Sequence, residues 1–290
     1  MSAILACIDG SVYSRSVAEH AAWAARRMKA PVTLLKVLGR REAMGAGAAG
    51  ALSSGLAARL ASPARRQVQE ELAALEAERA LLLERGARLD LEEARTRVEA
   101  AGAQDVDTAL IRGDLLDEIA AREADAALLV IGKRGEAADF AQLHLGSNLE
   151  RIARASARPV LIASSAFRPP QRLLVAYDGR ASAERAVDAV ARDPLYRGLA
   201  VTLAIAGAPD AEQRARLDAA CARLEAQGHA SQARLVAGEP SAAIAALVER
   251  EGVDLLAMGA YGHSRWRSLV LGSTTSELIR ACRISIMLYR

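Results

Sequence analysis

Short runs that are apolar at nearly every position recur along the chain, and segments with helical spacing of apolar residues lie between them. "ILACI" at 4–8 and "DLLAM" at 254–258 are runs of this kind. A strand with one face in water alternates apolar and polar residues, whereas a strand covered on both faces is apolar throughout. Such strands alternating with helices predict βαβ units and a parallel sheet. In the second half of the chain the pattern predicts strands near 172–177, 199–205, 232–237, 253–258 and 284–289, with helices between them.

The pattern is written twice. "ILACIDGS" at 4–11 returns as "LLVAYDGR" at 173–180. "ALIRGDLLDEIAARE" returns as "RLVAGEPSAAIAALVER", which pairs Gly113 with Gly238, and the stretch from "DAALLVIGKRG" to "PVLIA" returns as that from "VDLLAMGAYG" to "ISIMLY". Three matches in one order define an internal repeat. The domains expected are 1–165 and 171–290, joined by "FRPPQ". The fold class is therefore α/β: two repeated, doubly wound, five-stranded parallel-sheet domains of Rossmann-like type. The first half carries about 44 extra residues between its Asp-Gly and Gly113, an insertion over about 40–103. Ser62 is a good N-cap with Pro63 at the first helical position, and Val68, Leu72 and Leu75 form an apolar stripe, so a long helix is expected there. Such a helix either covers the sheet or serves as an arm for assembly.

Composition narrows the classes. With 290 residues, 52% hydrophobic and 25% charged, the chain can bury two cores. The net charge of +3 is small and the arginines are interspersed with acids, so no nucleic-acid partner is implied. Aromatics at 3% are too few for a base-stacking platform. No apolar run approaches the length of a membrane span, about 18 residues, and the first ten residues hold an acid and no basic n-region, so a cytoplasmic location is expected. Cys7, Cys221 and Cys282 are odd in number and widely spaced, which favours reduced buried thiols over metal ligands.

The candidate chemistry lies in glycines. "GAGAAG" at 45–50 spells G-x-G-x-x-G, yet no strand runs directly into it, and about twenty positions later, where a dinucleotide site wants an acidic residue ending a second strand, Glu70 and Glu71 lie inside an apparent helix. It sits in a Gly/Ala/Ser tract and is expected to be a flexible loop. The stronger set follows the strand at 253–258: Gly259, Gly262, and then Gly272-Ser273-Thr274 opening a helix. Glycines after a buried strand allow close backbone approach, and a helix start offers free N–H groups with roughly +0.5 of a charge, a setting suited to phosphate. The first half repeats it with Gly132, Gly135 and Gly146-Ser147, at ten residues rather than nine in the long gap. Asp9 and Asp178 end the first strands and reach the same rim, where a carboxylate binds a ribose hydroxyl, an adenine edge or a metal ion, or else makes the Asp-Gly turn. Val37 and Ile205, ending the second strands, are placed to flank an adenine ring. Lys133 and Arg134 in one loop, His263 and Arg265 in the other, complete the candidates.

Gly259-x2-Gly262-x9-Gly272-Ser273 with Asp178 upstream resembles the nucleotide-binding signature of universal stress proteins, and its recurrence resembles a tandem of two such domains. The resemblance implies an adenine nucleotide α-hydrolase-like fold, ATP with Mg2+ as cofactor, a stress-response role, and pairing of the last strands, "PVLIA" with "ISIMLY", inside one chain. A homodimer is a further possibility it leaves open. A dedicated enzyme of the wider α-hydrolase group would need another motif, and no SGGxDS, HIGH, KMSKS or Walker sequence is present. A scaffold that binds no nucleotide is the remaining alternative. If GAGAAG only covers the rim, deleting residues 45–50 will leave most nucleotide affinity intact by calorimetry; complete loss of binding would make it a phosphate cradle.

Overall fold

The computed structural model describes residues 2–39, 63–133, 147–260 and 272–290. Five strands fall in the first half: β1 (Ala3–Cys7), β2 (Val32–Gly39), β3 (Val106–Gly113), β4 (Ala126–Gly132) and β5 (Val160–Ala163). Between them lie α1 (Ser14–Met28), α2 (Pro63–Ala100), α3 (Leu115–Arg122) and α4 (Ser147–Ala155). The second half repeats the order with β6 (Arg172–Ala176), α5 (Ala181–Arg192), β7 (Ala200–Ala206), α6 (Ala211–Ala226), β8 (Ser231–Val236), α7 (Pro240–Glu251), β9 (Leu255–Gly259), α8 (Ser273–Ala281) and β10 (Ser285–Tyr289). All five strands expected in the second half are present within two residues of their predicted ends.

The ten strands form one sheet in the order β3-β2-β1-β4-β5-β10-β9-β6-β7-β8. Neighbours are parallel within each half, and β5 meets β10 antiparallel, with Leu161 opposite Met287. This is the pairing implied by the resemblance. Its driving force is burial: Val160–Ala163 and Ser285–Tyr289 are buried at every position in the joined sheet, and either edge left open would expose apolar side chains and a row of unpaired peptide groups to water. One consequence is geometric. Because the join is antiparallel, the carboxyl ends of the strands point in opposite directions in the two halves.

Each face of the sheet is covered by one continuous core. On one face Val17 and Ala21 of α1, Leu91 and Val98 of α2, Val187 of α5 and Leu217 of α6 share a cluster. On the other, Ile119, Ile152, Leu247 and Leu278, from α3, α4, α7 and α8, share a second. The halves therefore share their cores across the join. Helix α2 covers the sheet only through its C-terminal part, where Ala87, Leu91, Ala94 and Val98 are buried. The stripe expected to mark this helix, Val68, Leu72 and Leu75, is exposed at 63%, 52% and 63%. Ser62 lies outside the described residues, as do the GAGAAG tract, Arg134, Gly135, Gly146, Gly262, His263 and Arg265.

Polar links tie the halves as well. Arg27 at the end of α1 donates to the carbonyls of Leu195 and Arg197, and Arg290 donates to Ala155 O at 3.1 Å. His20 on α1 is buried, with Nδ1 2.7 Å from Ser16 O and Nε2 2.6 Å from Ser285 Oγ on β10. Ser285 Oγ in turn accepts from Ser164 N at 3.1 Å. Burial, against weaker help from the Ser16 carbonyl and Glu19, pulls the His20 pKa down to about 4. The unfolded chain, with a histidine near 6.5, then binds the extra proton first as pH falls. Stability from neutral His20 is complete above about pH 6.5 and is lost as pH falls toward 4, on the order of 3 kcal/mol in all. Urea melts at pH 7 and pH 4.5 test this: His20→Gln should flatten the loss between the two, and an unchanged slope would assign the acid sensitivity to other groups.

Candidate functional site

In an open parallel sheet a ligand site forms at the carboxyl rim where the winding reverses. In the second half that point lies between β6, which continues outward to β7, and β9, which continues to β10. Asp178 and Gly179 follow β6, and Gly259 ends β9, with Ala176 opposite Met258. Helix α8 opens beside them, because Thr275 in its first turn donates from Oγ1 to Ala260 O at 3.3 Å. The topology thus brings Asp178, Gly259 and Gly272-Ser273-Thr274 to one place.

The helix starts along this rim differ in a way that selects α8. Asp210 caps α6 with a full capping box, and Glu239 caps α7 by accepting from Ala242 N at 3.0 Å. Those N-termini are already neutralised by carboxylates. Helix α8 begins at Gly272, which has no side chain to cap it, and its first turn holds no acid. Gly272 has φ −54° and ψ 142°, a conformation open to any L-residue. The backbone therefore does not demand glycine there; what glycine gives is room in front of the N–H groups.

Asp178 is half exposed, and its Oδ1 accepts from Arg180 N at 3.0 Å while Oδ2 lies 3.5 Å from the Arg180 guanidinium. Gly179 follows with φ +72°. Asp178 thus makes the Asp-Gly turn and keeps an oxygen near the rim. Arg216 of α6, a residue that sequence reasoning missed, donates to Gly179 O at 3.2 Å and adds a second cation beside Arg180. Gly259 has a packing role as well. A Cβ on it would stand 2.2 Å from Ser182 Oγ and 3.1 Å from Ala183 N, so its missing side chain admits the first turn of α5. Its space is taken by protein.

The first half has the same frame with other contents. Asp9 Oδ1 accepts from Ser11 N at 2.9 Å and from Ser14 Oγ at 3.0 Å, around Gly10 at φ +87°. Lys36 on β2 and Asp90 on α2 form an ion pair, and both Lys36 Nζ and Asp90 Oδ2 come within 2.9 Å of a Cβ built on Gly10. The insertion therefore brings a carboxylate to this rim. The signal for it was a lone lysine in the apolar run "PVTLLKVLG", which requires a counter-charge once buried. Gly132 ends β4, and Lys133 beyond it donates from Nζ to Cys282 O at the C-terminal end of α8, a favourable seat for a cation. Ser147 opens α4, whose first turn includes Glu150.

Register corrects one pairing. Cys7 lies opposite Leu35 and Ala176 opposite Ala204, so Leu35 and Ala204 are equivalent positions. The equivalent of Ile205 is then Lys36, and that of Val37 is Ala206. Val37 packs with the cluster under α3 and α4, while Ile205 packs with the one under α5 and α6. A one-residue offset puts them on opposite faces, so they do not form matching walls for a ring.

Burial, with Asp9 second, pushes the Cys7 thiol up to about 12, and burial raises Cys221 and Cys282 also. Among the described residues no group of three or more His, Cys, Asp or Glu could hold a metal ion. No helix among them is long and apolar enough to cross a membrane.

The profile of the Universal stress protein family (Usp) matches residues 1–164 and 197–290. Its second match starts after β6 and α5, although register makes these the counterparts of β1 and α1. Universal stress protein Slr1230 of Synechocystis sp. is 33% identical over 293 residues, covering all of both chains. The crystal structure of a universal stress protein from Archaeoglobus fulgidus DSM 4304 superposes with a TM-score of 0.71 over 99% of this chain and 98% of that one, at 21% identity, which is agreement in fold. Two profile matches in tandem, a full-length relative and a full-length structural match agree: the chain belongs to the universal stress protein family.

Proposed function

We propose that the chain binds an adenine nucleotide, ATP with Mg2+, at the rim of its second half and acts as a nucleotide-dependent binding or signalling module in stress response. One observation carries this reading. Helix α8 presents an uncapped, acid-free start behind Gly272 at the switch point, while the starts of α6 and α7 are capped by their own carboxylates and that of α5, uncapped at Arg180, has Glu184 in its first turn. The donor set suits a phosphate chain: first-turn N–H groups, the exposed Ser273 hydroxyl, and the Arg180 and Arg216 guanidiniums nearby. Asp178, half exposed on the same rim, supports the reading as a carboxylate that would meet a ribose hydroxyl or the metal that accompanies the phosphates. None of these groups supplies a general base beside a nucleophile, so hydrolysis should be slow at most.

The second half is the stronger binder in this reading. Its loop from Gly259 to Ser273 has two arginines and no acid, whereas the first half has Glu136 and Asp139 in its loop, Glu150 in the first turn of α4, and Asp90 delivered by α2. Of the two basic residues in that loop, Lys133 and Arg134, Lys133 already donates to the end of α8. A scaffold that binds no nucleotide has one observation in its favour, the filling of the Gly259 space by Ser182.

Calorimetry with Mg-ATP separates the two readings, since no heat of binding at millimolar nucleotide would leave only the scaffold. Gly272→Val sets a β-branched side chain before the N–H groups without backbone strain, and should weaken binding roughly tenfold or more, about 1.4 kcal/mol. Gly146→Val should cost less; if it alone abolishes tight binding, the first half is the principal site. Gly259→Ala should instead lower the melting temperature, because it collides with Ser182. A Gly259→Ala protein that melts normally would overturn the packing role of that glycine.

A further inference from the structure

The side chain that leans on the Asp-Gly turn differs between the halves, and the difference is one of charge sign. Gly102 follows α2 with φ +86°, its N–H donating to Glu99 O at 2.8 Å, and Gly228 follows α6 with φ +83°, its N–H donating to Glu225 O at 2.9 Å. The next residues, Ala103 and His229, donate back to Val98 O and Leu224 O. The two helices therefore end alike, and Gly102 is the equivalent of Gly228. The match runs inward along both helices: Val98 corresponds to Leu224, Ala94 to Ala220 and Leu91 to Leu217, all buried in one cluster. One position further back, Asp90 is the equivalent of Arg216.

Both side chains reach the same glycine. A Cβ built on Gly10 would stand 2.9 Å from Asp90 Oδ2, and one built on Gly179 would stand 3.7 Å from Arg216 Cδ. Arg216 also donates from its guanidinium to Gly179 O at 3.2 Å. The same turn thus meets a carboxylate in the first half and a guanidinium in the second.

Strand β2 accounts for the exchange. The Lys36 side chain, 9% exposed, requires a counter-charge, and Asp90 supplies it. In the second half the Lys36 position is taken by Ile205, so no buried charge dictates what α6 must offer. Arg216 is half exposed and shares its charge with Glu212 at 2.5 Å, but Glu212 is 72% exposed, where solvent screens it. Position 180 adds to the contrast, because Arg180 follows Gly179 where Ser11 follows Gly10. The second-half turn sets Arg180 and Arg216 beside Asp178 and Glu212, whereas the first-half turn sets Lys36 between Asp9 and Asp90.

We propose that Arg216 is a specificity-determining residue of the second-half rim: its guanidinium, held over the Asp178-Gly179 turn, favours a polyanionic ligand there. This rests on the reading of the α8 start as a nucleotide site and adds the residue that selects ligand charge. Arg216 acts by holding the turn and through its field at the rim, so it is a positioning residue whose effect follows its charge.

Calorimetry with Mg-ATP on the full chain tests it, in variants that keep, remove or reverse the charge at position 216. Arg216→Lys should retain most of the affinity, Arg216→Gln should bind about threefold more weakly, and Arg216→Asp, which installs the first half's residue, about tenfold more weakly. Melting temperatures should stay close to one another, since the side chain is half exposed. The gap between wild type and Arg216→Asp should close in about 0.5 M KCl, where the Debye length falls to about 4 Å. Equal affinity across the variants, an equal loss for Lys and Asp, or a gap that persists at high salt overturns the role of Arg216 and leaves nucleotide binding standing. A wild type that binds no nucleotide overturns both.

Discussion

The antiparallel meeting of β5 and β10 is the contact on which the rest of this molecule depends. Only three residue pairs define it, Val160 with Leu288, Leu161 with Met287 and Ile162 with Ile286. Its strength comes from what surrounds it. Both strands are buried on both faces, so the join allows the cores on either side of the sheet to run unbroken from one half into the other. The cross-half contacts of Arg27, Lys133 and Arg290, and the His20–Ser285 pair, all presuppose that alignment. Separating the halves would open two apolar edges and strand a buried histidine.

The same join fixes where chemistry can occur. Each half has its own switch point, and the antiparallel relation sends the two rims to opposite edges of the sheet. They cannot share one ligand, so each half stands or falls on its own residues. Here the halves have diverged: the second keeps an acid-free helix start, while the first has accepted Lys36 with Asp90 under Gly10 and has turned Lys133 toward the other half. The duplicated fold thus has one rim with an acid-free helix start and one with an ion pair beside its Asp-Gly turn. The insertion links these outcomes, because α2 both supplies Asp90 and carries the exposed leucine line outward.

The sequence by itself determined the strands, the repeat and the family, because runs such as "DLLAM" can be stable only between two layers, and because a repeated order of such runs folds the same way twice. It also determined the location of the candidate rim, since glycines and an aspartate placed after strand ends must reach the carboxyl edge. Tertiary structure alone decided what each group touches. Gly259 follows a strand as a ligand-facing glycine would, yet Ser182, 77 positions away, fills its space. Val37 and Ile205 both end second strands, yet only the pairing with β1 and β6 reveals the one-residue offset that turns them to opposite faces. Val68, Leu72 and Leu75 have the spacing of a buried stripe, and nothing local distinguishes them from Leu91 and Val98, which are buried. The reason is common to all three. Periodicity and spacing are properties of a segment, whereas burial and contact depend on which distant segment arrives opposite it, and that is set by the closure of the whole sheet.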